Sequence, residues 1–320
     1  MKVDKIIKNA SIFTSAAVNF HASAFAVKDG KFVYVGDEEG LKDFEGEIVD
    51  LGGKFVMPGI IDSHVHMAIN TAFEYTPEIV PITCDSKQEC LDFIRKYIEA
   101  NPGRSIYKFM LGFFYLHGEK LTCWDLDTVS TEAQIVIIES VGHSGWVNSK
   151  VLRDFGVTDD VEDISKGLSR YDRDENGRLT GFATEGAFQP FNFGHARDIT
   201  DEQIRASLQR YLDYNRRMGI TAVYEAGSPA SVRHHDRVLK VLCEMDREGK
   251  LPFIVESSYM LMDPRQIPDC IDALKEMDRK YHTEHVRCRI MKMMVDGIES
   301  GRSAAVIDPY DDGTCGGRLV

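Results

Sequence analysis

The chain reads as an α/β protein in which a small β-sandwich precedes a parallel sheet built from βα units. Three observations predict this. The first 62 residues carry short alternating runs broken by turn residues, at the ~8–12-residue spacing of a sandwich. From about residue 200 the order is helix, strand, helix, strand, helix, strand, and such alternation implies a parallel sheet. The apolar share of the 320 residues is 43%, enough for a packed core and too high for a disordered chain.

The elements follow in order. Lys5–Phe13 alternates loosely. Ala24–Val27 and Phe32–Val35 flank Lys28-Asp29-Gly30-Lys31, and Asp-Gly between alternating runs signals a hairpin because both turn positions need φ > 0. Glu47–Leu51 and Lys54–Met57 are predicted to pair around Gly52-Gly53. Ser86–Ala100 is helical by period, with Cys90, Phe93, Ile94, Tyr97 and Ile98 on one face. Gln134–Glu139 has the continuous apolar pattern of a buried strand. In Thr200–Arg217, Thr200 is an N-cap with Gln203 as its capping-box partner. Ile204, Leu208, Tyr211, Leu212 and Asn215 make its stripe, and Gly219 ends it. A strand at Ile220–Tyr224, a helix at Val232–Arg247, a strand at Phe253–Ser257, a helix at Ile267–Lys280 and a strand at Cys288–Val295 complete the alternation. The boundary between the two parts is set at residue 62.

A formal net charge of −13 argues against nucleic acid and anionic membrane as partners, since both need a basic face. No apolar run approaches the ~20 residues of a membrane span. The first eight residues, with Lys2, Asp4, Lys5 and Lys8, are too charged for a signal-peptide core. Seven cysteines without a C-x-x-C pair read as free thiols in a reducing cytoplasm.

The strongest local motif is Met57-Pro58-Gly59-Ile60-Ile61-Asp62-Ser63-His64-Val65-His66. Residues i and i+2 of a strand point to one side, so both imidazoles converge. Neutral imidazole is the commonest metal-ligand side chain. Two surface histidines at a strand end are the competing reading. Lys292 lies within Ile290-Met291-Lys292-Met293-Met294-Val295, where a buried ammonium is costly. Either it is an edge-strand lysine whose head reaches solvent, or its amine is carbamylated by CO₂ into an anionic ligand that bridges two metal ions.

Several motifs in one order carry a more specific signal. Beside the His64/His66 and Lys292 segments stand Gly142-His143-Ser144-Gly145-Trp146-Val147-Asn148-Ser149, Thr180-Gly181-Phe182-Ala183-Thr184-Glu185 and Gly219-Ile220-Thr221-Ala222-Val223. Lys292-Met293-Met294-Val295-Asp296-Gly297 is followed by Ser300-Gly301-Arg302. Together they resemble the amidohydrolase superfamily, and within it the family-3 amidohydrolases, the branch that includes N-substituted formamide deformylases. The resemblance covers nearly the whole chain. It implies a (β/α)₈ TIM barrel beside a sandwich built from both chain ends. It also implies hydrolysis of a non-peptide, amide-type carbon–nitrogen bond in a small-molecule substrate, with one or two divalent metal ions, zinc first among them. By the same resemblance His64 and His66 are ligands of the more buried metal, and Lys292 is the bridge. His143 sits at the mouth, against substrate or the reacting oxygen; its alternative is a structural histidine bonded near Asn148. Glu185 is a ligand, a substrate contact or a loop carboxylate, and Arg302 joins the substrate contacts.

The chain departs from that family in one respect. Only 28 residues follow Lys292, and four further βα units at ~30 residues each do not fit. The later histidines and the general-base aspartate are absent. The expectation is therefore the first half of a barrel, at 63–320, with a long insertion at about 68–200. A second chain would complete it, or a homo-oligomer would form. The alternative is an inactive remnant of the fold with a binding or partner role.

Other features are set aside. Asp172-Arg173-Asp174-Glu175-Asn176-Gly177 imitates a calcium loop, but a hairpin turn at Asn176-Gly177 is the better reading. His234-His235 is placed on a helix surface. Phe109, Phe113, Phe114 and Tyr115 are placed in the core of the insertion, with a substrate-facing wall as the alternative.

Overall fold

A computed structural model describes residues 1–17, 21–112, 119–165, 168–228, 232–261, 264–299, 304–310 and 315. The chain divides into two compact units, Met1–Ile61 with Gly219–Thr221, and Asp62–Met218 with Ala222–Val320.

In the first unit β1 (Lys2–Lys8), β4 (Ala24–Lys28), β5 (Lys31–Gly36) and β6 (Glu45–Asp50) form one sheet in the order β5-β4-β1-β6. A smaller sheet has β2 (Ser11–Phe13), β3 (His21–Ala22) and β7 (Phe55–Val56), in the order β3-β2-β7. The Asp29-Gly30 turn has φ of 51° and 72°, and β4 and β5 pair antiparallel across it as the dipeptide requires. The expected pairing around Gly52-Gly53 is not formed. β6 runs parallel to β1, and β7 parallel to β2. The reason lies at Asn9, whose φ of 52° breaks the loose Lys5–Phe13 run in two. Both segments step between sheets side by side, with Gly53 N donating to Asn9 O at 2.7 Å and Ser11 N to Lys54 O at 2.9 Å.

Two further sheets follow. One contains β9 (Ile79–Ile82), β10 (Ile106–Leu111), β11 (Gln134–Glu139), β12 (Ser144–Val147), β13 (Tyr171–Arg173) and β14 (Leu179–Thr184), ordered β13-β14-β12-β11-β10-β9. The other is the parallel set β8 (Ile60–Val65), β15 (Ile220–Glu225), β16 (Ile254–Leu261) and β17 (Val286–Met293), ordered β17-β16-β15-β8. The helices are α1 (Met67–Glu74), α2 (Lys87–Ala100), α3 (Cys123–Asp127), α4 (Ser149–Asp154), α5 (Gln189–Phe193), α6 (Asp201–Arg217), α7 (Val232–Arg247) and α8 (Cys270–Lys280).

Local chemistry explains these boundaries. Ser86 caps α2 by accepting from Glu89 N, and Cys90, Leu91 and Ile94 become its buried residues. Thr200 and Gln203 form the reciprocal capping box at the start of α6. Asn176-Gly177 turns between β13 and β14, which pair antiparallel, with Gly177 at φ 79°. Phe109 is fully buried in the core formed by α2, β10 and β11, while Phe113, Phe114 and Tyr115 lie outside the described residues. His234 and His235 are not on a surface: they are 2% and 7% exposed. The apolar arc of α7 is wide enough to bury adjacent residues. His234 Nε2 bonds Thr71 Oγ1 at 2.9 Å, and His235 Nε2 bonds Ser257 Oγ at 3.2 Å.

Two packing features have consequences for stability. Gly145 in β12 faces Ile137 O and the Phe188 ring so closely that a Cβ would overlap both. Gly145→Ala is expected to lower the unfolding free energy by roughly 1–3 kcal/mol, measured by urea titration. The second is Lys108 on β10, 1% exposed. Its Nζ donates to Asn192 O, to Thr76 Oγ1 at 3.3 Å and to His195 Nδ1 at 3.3 Å. His195 passes the chain on, its Nε2–H donating to Ala72 O at 2.9 Å. Burial pushes the Lys108 amine down to about 7 and, with the Lys108 charge, the His195 imidazole down to about 4.

Candidate metal centre

The parallel strand β8 delivers His64 and His66 to its carboxyl end, two residues apart and on one side as the pleat dictates. Their Nε2 atoms are 3.3 Å apart, and the rings meet at 75°. Two tetrahedral ligands at Zn–N of ~2.0–2.1 Å stand about 3.3–3.4 Å apart, so the pair has the separation that one ion would impose. His66 Nδ1–H donates to Gly227 O at 2.6 Å, which sets the tautomer and leaves Nε2 as the ligand atom. Burial holds the His66 pKa below its ordinary value, opposed by the bond to Gly227 O. The charges of Lys292, His64 and His143 lower it further.

Lys292 lies in β17 opposite Met260 of β16 and is half-buried. Burial depresses its amine pKa, and the Glu225 carboxylate opposes that. Its charge is felt at both His66 and His143. His143, just before β12, is not bonded near Asn148. Asn148 uses its side chain on Ile135 N, Val151 N, Ser130 O and Ala133 O. His143 Nδ1 instead bonds Glu185 Oε2 at 2.8 Å, and Glu185 N donates to His143 O at 2.6 Å. The Glu185 bond raises the His143 pKa against burial, assisted by the Glu185 and Glu139 charges and opposed by Lys292. Glu185 is 4% exposed and sits at φ 48°, a conformation unfavourable for a side-chain-bearing residue. Arg302, with Ser300 and Gly301, lies outside the described residues.

Among the described residues no three His, Cys, Asp or Glu side chains gather into a metal site. The closest pair of imidazole nitrogens described at this site is that of His64 and His66. One residue at the centre escapes the sequence patterns. Glu225 ends β15 with 0% exposure, and its Oε2 accepts from the Met67 amide. Burial pushes its carboxyl up to about 8, opposed by bonds from the Met67 and Ala68 amides and by the Lys292 charge. The available signal was a carboxylate at the carboxyl end of a parallel strand, followed by Ala226-Gly227. No helix among the described residues is long and apolar enough to cross a membrane.

Comparison with known proteins adds to this geometry. The model of the Amidohydrolase family matches residues 47–318. The chain is 30% identical over 317 residues to the Exoenzymes regulatory protein AepA of Pectobacterium carotovorum subsp. carotovorum, covering 96% of this chain and 66% of that one. It is 24% identical over 330 residues to the N-substituted formamide deformylase of Arthrobacter pascens, covering 97% and 57%. Its fold is similar to that of an uncharacterized metal-dependent hydrolase from Pyrococcus horikoshii OT3, with a TM-score of 0.55 and 23% identity over 99% of this chain and 60% of that one. The chain therefore spans 57–66% of the length of these relatives.

Proposed function

The chain belongs to the Amidohydrolase family, and from that premise we propose that it carries the metal-binding part of a hydrolase acting on a non-peptide, amide-type carbon–nitrogen bond. The observation that supports the reading best is the 3.3 Å separation of the His64 and His66 Nε2 atoms. In this reading β8, β15, β16 and β17 are the first four strands of a (β/α)₈ barrel. The N-terminal strands belong to its sandwich, and the remaining strands come from a further stretch of polypeptide or a second chain. The substrate is a small molecule, and the name of the Arthrobacter relative favours an N-acyl or N-formyl amine.

His64 and His66 hold one divalent ion, zinc first among the choices, through Nε2. Lys292 joins them after its amine attacks CO₂: an N–C bond forms, one proton leaves, and the resulting carbamate offers two oxygens. Burial favours the neutral amine that this step needs. When bound, the ion supplies Lewis acidity that lowers the pKa of water to about 7 and polarises the bond to be cut. Glu185 holds His143 by Nδ1, so the other ring nitrogen serves the substrate oxygen as charge develops there. Arg302 adds a substrate contact. A second reading, a fold that binds without turnover, draws on the name of the Pectobacterium relative, a regulatory protein.

The test assays the complete gene product, stripped of metal and reloaded with zinc, against a panel of N-formyl and N-acyl amines. Turnover that requires the metal is expected. His143→Ala should lower kcat by about 10²–10³-fold, as loss of an oxyanion donor does, with metal content unchanged. Metal-independent turnover, or none on any panel member with metal bound, removes the hydrolase reading. Equal loss of metal and turnover in His143→Ala makes His143 a ligand or a structural residue instead.

A further inference from the structure

The carboxyl ends of β8 and β15 are laced together at three successive positions. Ala226 N donates to Val65 O at 2.8 Å. His66 Nδ1–H donates to Gly227 O at 2.6 Å. The Glu225 carboxylate accepts from Met67 N through Oε2. Residues 65, 66 and 67 are thus each held by one of residues 225–227.

Helix α1 begins at Met67, with His66 in the N-cap position and no capping bond from the His66 side chain. The first amides of a helix lack partners within it and carry the positive end of its dipole. Glu225 supplies the missing acceptor from a neighbouring strand. It does so at 0% exposure, where a polar group is costly unless fully paired. Its Oε1 has no hydrogen-bond partner, and His235 Nε2 stands 3.9 Å away. For stability alone, a well-packed apolar residue would serve as well or better at such a position. What an apolar residue could not do is grip the amide next to His66.

We propose that Glu225 is a positioning residue for the metal centre. By holding the Met67 amide it fixes the backbone that carries His66, and with it the direction of the His66 Nε2 lone pair relative to His64. This rests on the reading of His64 and His66 as metal ligands. Glu225 acts through His66 in this inference, because its Oε2 is engaged by the Met67 amide.

The experiment measures Zn²⁺ and Co²⁺ affinity by competition titration, and the Co²⁺ absorption spectrum, in the complete protein and its variants. Glu225→Ala is expected to weaken affinity by roughly 10–100-fold, the size of an outer-shell loss, and to alter the Co²⁺ bands. Glu225→Gln keeps an oxygen acceptor for Met67 N and should restore both. Val223→Ala, on the same strand and 1% exposed, should lower stability without changing either. Should Glu225→Ala fail to fold, Glu225→Asp, one methylene short of the amide, should bind metal more weakly than Glu225→Gln. Wild-type affinity in Glu225→Ala, equal losses in the Gln variant and its Ala or Asp counterpart, or an equal loss in Val223→Ala overturns the inference. A wild-type protein that takes up no metal overturns the metal reading and this inference together, before any variant is compared.

Discussion

Between about pH 6 and about pH 10, the wild-type chain is expected to gain on the order of 4 kcal/mol in unfolding free energy over Lys108→Met. The sign follows from proton counting. The Lys108 amine is held at about 7 in the fold against an ordinary value of 10.5. Between those values the unfolded chain binds more protons than the folded one, so stability rises with pH through that window. Below about pH 7 the full cost of a buried ammonium is present, softened only by Asn192 O, Thr76 Oγ1 and His195 Nδ1. No carboxylate is among those partners. Methionine fills similar space and cannot titrate. Urea titrations of both proteins across the range give the difference, and parallel pH curves would show that the Lys108 charge is relieved in some other way.

The second large effect concerns the ligands. Replacing either His64 or His66 by alanine should abolish stoichiometric zinc, with a loss beyond the roughly 10–100-fold of outer-shell changes. The fold should hardly notice at His64, which is exposed. At His66 the bond to Gly227 O is lost as well, so a modest fall in stability accompanies the loss of metal. Elemental analysis and thermal unfolding of each variant separate the two. Full zinc content in both variants would mean that the 3.3 Å pair has another purpose.

Much of this was legible in the residues because the signals are local. Thr200 with Gln203, Asp29-Gly30 and Asn176-Gly177 each specify a cap or a turn within four positions, and each is found as read. His64 and His66 were legible for the same reason, since a strand's period alone puts them together. What failed was non-local. The path of β6 and β7 depends on Asn9, more than forty positions earlier, through the Gly53 N bond to Asn9 O. His234 and His235 looked polar, yet packing against Thr71 and Ser257 buries them. Glu225 lies just past the strand read at Ile220–Tyr224 and drew no notice, because its meaning comes from an amide 158 positions away. Lys108 carried the same signal as Lys292, a single charge in an apolar run, but no neighbouring motif drew attention to it.

The bond from His66 to Gly227 closes a loop of 161 positions, while the two imidazoles are separated by only one residue. The histidine pair is therefore available in any conformation of the chain, but its fixed geometry is not. Closing so long a loop has a substantial entropic cost, and contacts of that separation are slow to form. The whole six-stranded sheet lies within the loop. If the pair binds metal as proposed, an ion that meets the chain before folding finds two loosely held nitrogens, in either tautomer, and stabilises that state too. Metal present during refolding thus contributes less to the folding equilibrium than its affinity for the finished protein suggests. On the proposed metal reading, the two nitrogens are neighbours before folding but are fixed only once this long-range bond forms, so discrimination among metals is expected of the folded protein alone.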